Sequence, residues 1–274
     1  MPELPETETL ARDLGRSLVG RRITGVTVVR RDVLRGVTAL RLSRRVTGAE
    51  ITGTSRRAKF VLLHLSTGDR LVFQPRFTGG VVVSAGDEPI TDAFVTIEME
   101  LADGGRFAFR DVRRLGTVEL LDSAGQARLE ARLGVEPLDS AFTAARLSEF
   151  LRSSRQAIKK ILMDQSRVAG VGNIYANEAL WLAGIDPSKP GKRVSAGDVV
   201  KLRDAVVKVL SDAVVARGTT FRDFRDAYGT QGGFAPRLAA YGREGRPCLR
   251  CGSRLVGTHA IDGRATVFCF RCQR

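Results

Sequence analysis

All four cysteines of the chain fall within its last 27 residues, as Cys248-Leu-Arg-Cys251 and Cys269-Phe-Arg-Cys272. Each C-x2-C pair can sit on a tight knuckle, and the spacing between the pairs lets four thiolates converge tetrahedrally on one Zn²⁺. Residues 255–261 and 264–268 flank Asp262-Gly263, which predicts a hairpin turn and a two-stranded zinc ribbon. The metal would supply folding energy that this Arg- and Gly-rich segment lacks. Two disulfides, a redox pair and an iron–sulfur cluster are the rival readings. Four cysteine ligands leave no open position, so the metal would be structural. Arg250, Arg254, Arg264, Arg271 and Arg274 decorate the ribbon, and Arg264 at the turn could project into a phosphate backbone or simply remain a solvated arginine.

A second candidate for chemistry is the start, Met1-Pro2-Glu3-Leu4-Pro5-Glu6. Removal of Met1 would free Pro2 as a secondary amine with a pKa within reach of neutrality. Such an amine can attack a sugar C1′ and expel the base, leaving a cationic iminium. Glu3 and Glu6 would stand nearby for proton transfer. A plain acidic N-terminus is the alternative. Only two histidines exist, and His64 lies in an apolar run, so it reads as structural. Neither a Walker-type phosphate loop nor a Gly-x-Ser-x-Gly elbow is present.

A third candidate is Val168-Ala-Gly-Val-Gly-Asn173-Ile-Tyr-Ala. Gly170 and Gly172 permit positive φ and close backbone approach. Asn173 is expected to cap the following helix, whose exposed N–H groups could hold a phosphate. A simple helix–turn–helix connection fits the same residues. Charge favours the phosphate: 44 basic against 30 acidic residues give a net +14 over 274 residues, which suits a polyanionic partner.

These residues need a scaffold. Leu10, Leu14 and Leu18 predict a helix over 6–19. Short β-prone runs follow at 23–29, 60–65, 71–73, 80–83, 94–101, 106–109 and 117–121, the texture of a sandwich or barrel. Helical periodicity then takes over at 144–152, 156–163, 174–182 and 196–215. The expected fold class is α+β. It comprises an N-terminal β-sandwich domain (1–121), a helical domain (122–237) and a C-terminal zinc ribbon (238–274). No stretch is apolar enough to span a bilayer, and the acidic start is unlike a signal peptide. The expectation is a cytoplasmic protein with reduced cysteines.

Taken together, several motifs resemble the formamidopyrimidine-DNA glycosylase/endonuclease VIII family. They are Pro-Glu-Leu-Pro-Glu at 2–6, Arg-Ala-Lys-Phe at 57–60, Asp-Val-Arg-Arg-Leu-Gly at 111–116 and the glycine loop at 170–176. Gly-Thr-Thr-Phe-Arg-Asp at 218–223, Tyr-Gly-Arg at 241–243 and the terminal ribbon complete the set. The resemblance covers the whole chain, and its start is closer to the formamidopyrimidine branch than to endonuclease VIII, which usually begins Pro-Glu-Gly-Pro-Glu. It implies a β-sandwich, a helix–two-turns–helix domain and a zinc ribbon, with damaged double-stranded DNA held in a cleft. It implies a bacterial, nucleoid-associated monomer that releases oxidised purines and cleaves the strand by β,δ-elimination.

By matching position, the resemblance makes Pro2 the Schiff-base nucleophile and Glu3 the proton donor. Lys59 contacts the phosphate near the lesion, Asn173 and Arg264 grip the backbone, and Arg264 also assists δ-elimination. Glu6 belongs to the lesion pocket, and 218–234 would cover a flipped purine, since the glycosidic carbon is inaccessible in a duplex. Where the family fills the vacated space with Met, Arg and Phe, this chain has Phe77, Arg113 and Leu115. Val112 replaces a proline, Gln74 a histidine, and Asp92-Ala-Phe94 a stretch with two histidines. Ser154 stands for a DNA-contacting lysine, with Arg155 next to it, and the cysteine pairs lie one residue further apart. Two other functions fit part of this pattern: an endonuclease VIII-like enzyme for oxidised pyrimidines, and a catalytically silent zinc-ribbon DNA-binding protein.

Overall fold

The computed structural model describes every residue except Met1, Ala85 and Asp87. The expected removal of Met1 therefore concerns a residue outside those described. The chain divides into two compact units, Met1–Ala131 with Ala216–Gly233, and Arg132–Val215 with Phe234–Arg274.

The first unit opens with helix α1, Leu4–Leu18, which starts two residues before the apolar periodicity does. The reason is local: Glu3 is the N-cap, and Pro5 sits in the first turn, where its missing N–H costs nothing. Leu10, Leu14 and Leu18 are wholly buried along one stripe. Strand β1 (Ile23–Val28), helix α2 (Ala39–Val46) and strand β2 (Ile51–Arg57) follow. Neither α2 nor β2 is apparent in the sequence. Helix α2 buries only Leu42 and Val46, too few apolar residues to mark a helical period. Strand β2 is polar because it forms the edge of its sheet.

Strands β3 (Phe60–Leu65), β4 (Arg70–Gln74), β5 (Gly79–Val83), β6 (Val95–Leu101), β7 (Arg106–Asp111) and β8 (Thr117–Leu121) complete two antiparallel four-stranded sheets, and α3 (Ser123–Ala131) ends this stretch. The sheet orders are β1-β6-β7-β5 and β2-β3-β4-β8. Apolar residues at alternate positions, such as Ile97, Met99, Phe107 and Phe109 with Val61, Leu63, Phe73 and Val118, form one core with the α1 leucines. This is the expected sandwich. Phe224 and Ala227, from the returning segment 216–233, join the same core.

The second unit contains α4 (Ala144–Leu151), α5 (Ile158–Met163), α6 (Asn173–Ala183), α7 (Ala196–Val215) and the hairpin β9 (Val256–Thr258) and β10 (Thr266–Phe268). The hairpin pairs Thr258 with Thr266, so 259–265 form a wide loop in place of the predicted two-residue Asp-Gly turn. Gly263 does take positive φ, at 75°. The Asp262 carboxylate, however, accepts from Arg264 N–H and from Lys159 Nζ, which holds the loop open. His64 is structural, as expected: its Nε2 lies 2.7 Å from Ser55 Oγ, and burial together with the Arg70 charge pushes its pKa down.

Within α6 the buried Glu178 fixes the path of the chain leading to the ribbon. Its carboxylate accepts backbone N–H bonds from Ala239, Ala240 and Tyr241 at 2.8, 2.9 and 2.7 Å. Oε1 takes two of them and Oε2 the third, so an amide at this position turns one acceptor into a donor facing a donor. Glu178→Gln should therefore destabilise the unit by about 1–3 kcal/mol. An unchanged denaturation midpoint in that variant would show these bonds to be dispensable.

Candidate functional site

Most residues singled out in the sequence fall into four constellations, two in the first unit and two in the second. The first gathers at the head of α1. Pro2 is buried just before the helix, and Glu3 and Glu6 are both almost wholly buried. They form a capping box, with Glu3 N–H donating to Glu6 Oε2 at 2.8 Å. Glu6 Oε1 accepts Thr219 N–H at 2.7 Å. Both oxygens of Glu6 thus organise backbone. Gly218 lies so close that a Cβ there would stand 2.9 Å from Glu6 Oε1, and its φ of 82° is itself glycine territory.

Lys59 belongs to the same constellation. It stands at the tip of the β2–β3 hairpin, where Arg57 pairs with Phe60 and only Ala58 and Lys59 turn the chain. Ala58 has φ of 51°, the left-handed conformation such tight hairpins need. Its carbonyl lies 3.4 Å from Thr7 Oγ1 and accepts Arg56 Nη1 at 3.1 Å. Thr7 Oγ1 also lies 2.9 Å from the Glu3 carbonyl. The first turn of α1 thus touches the backbone of the lysine hairpin.

The second constellation is a pair of loops bearing Phe77, Arg113 and Leu115, all exposed. Buried Asp111 ties them together. It accepts from Thr78 Oγ1 at 2.5 Å, Arg113 N–H at 3.1 Å and Gly116 N–H at 2.7 Å. Gly116 admits no side chain, since a Cβ would meet Phe109 at 2.7 Å. Phe77 and Arg114 both have positive φ, local strain of a kind that collects at functional loops. The Arg113 guanidinium lies 4.5 Å from the centre of the Phe77 ring, so charge and apolar wedge form one stacked pair. In the stretch where the resemblance leads to histidines, Arg110 instead binds Asp92 and packs 5.9 Å from the Phe94 ring centre.

The third constellation lies in the second unit. Asn173 is the first residue of α6, and the N-cap is Gly172, which corrects the expected role of Asn173 as a cap. Its side chain is employed elsewhere: Nδ2 donates to the Ala265 carbonyl at 3.0 Å. Ala265 follows Arg264, so this bond brings the glycine loop and the exposed arginine together. Lys159, absent from the sequence reading, is fully buried and donates to Thr266 Oγ1 at 2.7 Å, with Asp262 and the Ala265 carbonyl each at 3.3 Å. Its sequence signal was hidden, because a lysine on a helix ordinarily faces solvent. Arg155 is exposed in the turn before α5, apart from this cluster.

Beyond the hairpin, Cys248, Cys251, Cys269 and Cys272 place their sulfurs within 4.8 Å of one another and could hold a metal ion. Tetrahedral thiolate coordination with bonds of about 2.3 Å requires sulfur separations of roughly 3.8 Å, so the donor set fits. The thiols are also electrostatically divided. Hydrogen bonding from Ser253 pulls Cys251 down to about 6, while its neighbour Cys251 pushes Cys272 up to about 12. Trp181 packs on this cluster, with Arg250 stacked 4.3 Å from its ring centre.

The sequence models of the formamidopyrimidine-DNA glycosylase N-terminal domain and H2TH domain match residues 1–118 and 133–225. The formamidopyrimidine-DNA glycosylase of Roseiflexus sp. (strain RS-1) is 43% identical over 277 residues, covering both chains completely. This chain belongs to the formamidopyrimidine-DNA glycosylase family. The corresponding enzyme of Xanthomonas campestris pv. campestris (strain B100) is 42% identical over the full length of both chains. Among solved structures, the wild-type Lactococcus lactis Fpg (MutM) in complex with DNA containing N7-benzyl-Fapy-dG is similar, with a TM-score of 0.92. It has 33% identity, and each chain is covered completely. The same Lactococcus protein bound to abasic-site DNA gives a TM-score of 0.91 at 32% identity over 99% of each chain.

Asp111 joins the two loops that carry Phe77, Arg113 and Leu115, the residues that the resemblance leads one to expect in the space of an extruded nucleotide. Asp111→Ala strips three donors of their buried acceptor and should cost about 2–4 kcal/mol of stability. It should also weaken binding to abasic-site DNA. Undiminished stability and binding, measured by denaturation and fluorescence anisotropy, would remove Asp111 as the organiser of these loops.

Proposed function

We propose that this protein is a base-excision repair enzyme, a DNA glycosylase with abasic-site lyase activity. It releases oxidised purines, such as 8-oxoguanine and formamidopyrimidines, from damaged double-stranded DNA. The observation that carries this reading is the family's Pro2–Glu3 pair, buried at the head of α1 with the Lys59 hairpin bonded to the same helical turn. It is supported by full-length identity of 38–43% to formamidopyrimidine-DNA glycosylases.

In this reading Met1 is removed and the Pro2 amine attacks C1′ of the damaged nucleotide. The glycosidic bond breaks, and the departing base takes its proton from Glu3. The Glu3 carboxylate then relays the proton of the attacking amine to O4′ as the C1′–O4′ bond opens, leaving an iminium between Pro2 and the opened sugar. The iminium acidifies the C2′ proton, whose loss expels the 3′ phosphate. A further elimination, assisted by Arg264, expels the 5′ phosphate. Lys59, Arg155, Asn173 and Arg264 hold phosphates, for which net charge +14 provides the long-range attraction. Phe77 and Leu115 fill the space the extruded nucleotide leaves, and Arg113 faces the orphaned base.

The four cysteines hold one structural Zn²⁺, which supplies folding energy to the ribbon and takes no part in the chemistry. No helix among the described residues is long and apolar enough to cross a membrane. An enzyme acting on genomic DNA works in the cytoplasm, associated with the nucleoid through that DNA.

Pro2→Gly should lower 8-oxoguanine excision and borohydride trapping on abasic DNA by at least about 100-fold. A fully active variant would sink the nucleophile assignment. Faster excision of thymine glycol than of 8-oxoguanine by the wild type would move the substrate to oxidised pyrimidines. Chelation should release one zinc per chain, shift the emission of the single tryptophan, Trp181, and abolish DNA binding. Full binding by protein that elemental analysis shows to be zinc-free would contradict the structural role.

A further inference from the structure

The segment 216–233 closes on itself and lies along one face of α1. Gly233 N–H donates to the Ala216 carbonyl at 2.8 Å, and a Cβ on Gly232 would stand 2.4 Å from the Gly218 carbonyl oxygen. Three α1 residues grip this closed segment: Glu6, Asp13 and Ser17. Their spacings of seven and four residues put them on one side of a helix. Glu6 takes Thr219 N–H, as described above. Ser17 Oγ lies 2.8 Å from Tyr228 Oη, which also donates to the Asp13 carbonyl at 3.3 Å.

The central grip is ionic. Arg217 Nη2 lies 2.7 Å from Asp13 Oδ2 and 2.6 Å from Asp226 Oδ2. Both carboxylates are almost wholly buried, at 0% and 3% exposure. The second oxygen of Asp13 pairs with Arg16. The second oxygen of Asp226 accepts Tyr228 and Thr230 N–H and so shapes the tip of the segment. Without Arg217 the two acids would share one buried position with too little positive charge between them. Arg217 also has φ of 61°, a left-handed conformation that an L side chain adopts only when other contacts hold it there.

We infer that this face of α1 is a rail that fixes the 216–233 segment, with Arg217 as its central positioning residue for excision. The inference rests on the proposed function and on the expectation, drawn from the resemblance, that 218–234 covers the extruded purine. Its consequence is a mechanical coupling: one rigid helix carries the nucleophile at its head and the base cover along its flank. Arg217 touches no reacting atom. It acts through the segment it holds.

Arg217→Gly is the informative variant, because glycine adopts the same φ without strain while removing the ion pairs. Amides of 217–233 should then exchange with solvent about tenfold faster or more, while those in the middle of α1 stay unchanged. Single-turnover excision of 8-oxoguanine should fall by about tenfold, whereas cleavage at a preformed abasic site, with no base to cover, should stay within about twofold. Arg217→Lys, which keeps a cation between the acids, should recover most of the excision rate. Unchanged exchange in Arg217→Gly would overturn the rail whatever the substrate. A proportional fall in excision and abasic-site cleavage would overturn it too, by reducing Arg217 to a general stabiliser. A wild type inert on oxidised purines, with exchange still responding, would overturn the functional reading and leave the docking of 216–233 on α1 intact.

Discussion

The first unit depends on the Glu6 carboxylate being satisfied at both oxygens away from water. One oxygen accepts Glu3 N–H, and the other accepts Thr219 N–H. A buried carboxylate without such partners costs several kcal/mol, so Glu6 can be buried only when the N-terminus and the 216–233 segment are both in place. The same requirement explains why Gly218 lies too close to Glu6 for any side chain. Local helix capping and a contact across more than 200 residues of sequence are therefore one event.

This use of acids recurs through the molecule. Asp111 gathers the donors of two exposed loops, Glu178 gathers three consecutive N–H groups, and Asp226 shapes the turn it also anchors. The chain carries an excess of basic residues, yet its buried ionisable groups are mainly acidic. The division is physical. A carboxylate accepts several backbone N–H bonds from converging loops, and these charge-assisted bonds are among the stronger ones available. Arginines are more valuable at the surface, where phosphates can reach them. Among the described residues Lys159 is the basic exception, and it too orders a loop, the one bearing Arg264.

Much of the architecture was legible beforehand. The leucine period of α1, the alternating strands of the sandwich, the span of α7 and the paired cysteines all follow from patterns with a strong physical basis. The failures have two causes. Helix α2 and strand β2 contain too few apolar residues to reveal their period, because one buries a single stripe of two residues and the other is a sheet edge. The turn at Asp262 was misjudged because its carboxylate serves Lys159 from another element. Asn173 reads as a cap, yet its amide is drawn to Ala265. At Asp262 and Asn173 a long-range partner overrode a sound local preference.

What the sequence determined alone was the chemistry available. A proline preceding an acid, four thiols at metal-binding spacing and a strong positive charge each have meaning in residue types and short separations. These properties are local or additive, so they survive without a fold. Tertiary structure decided which groups act together. The junction of Lys59 with the first turn of α1, the stack of Arg113 on Phe77, the bond from Asn173 toward Arg264 and the hold of Asp13 on Arg217 all join residues distant in sequence. Such pairs arise because burying a polar group demands a partner, and only the folded chain determines which partner is within reach.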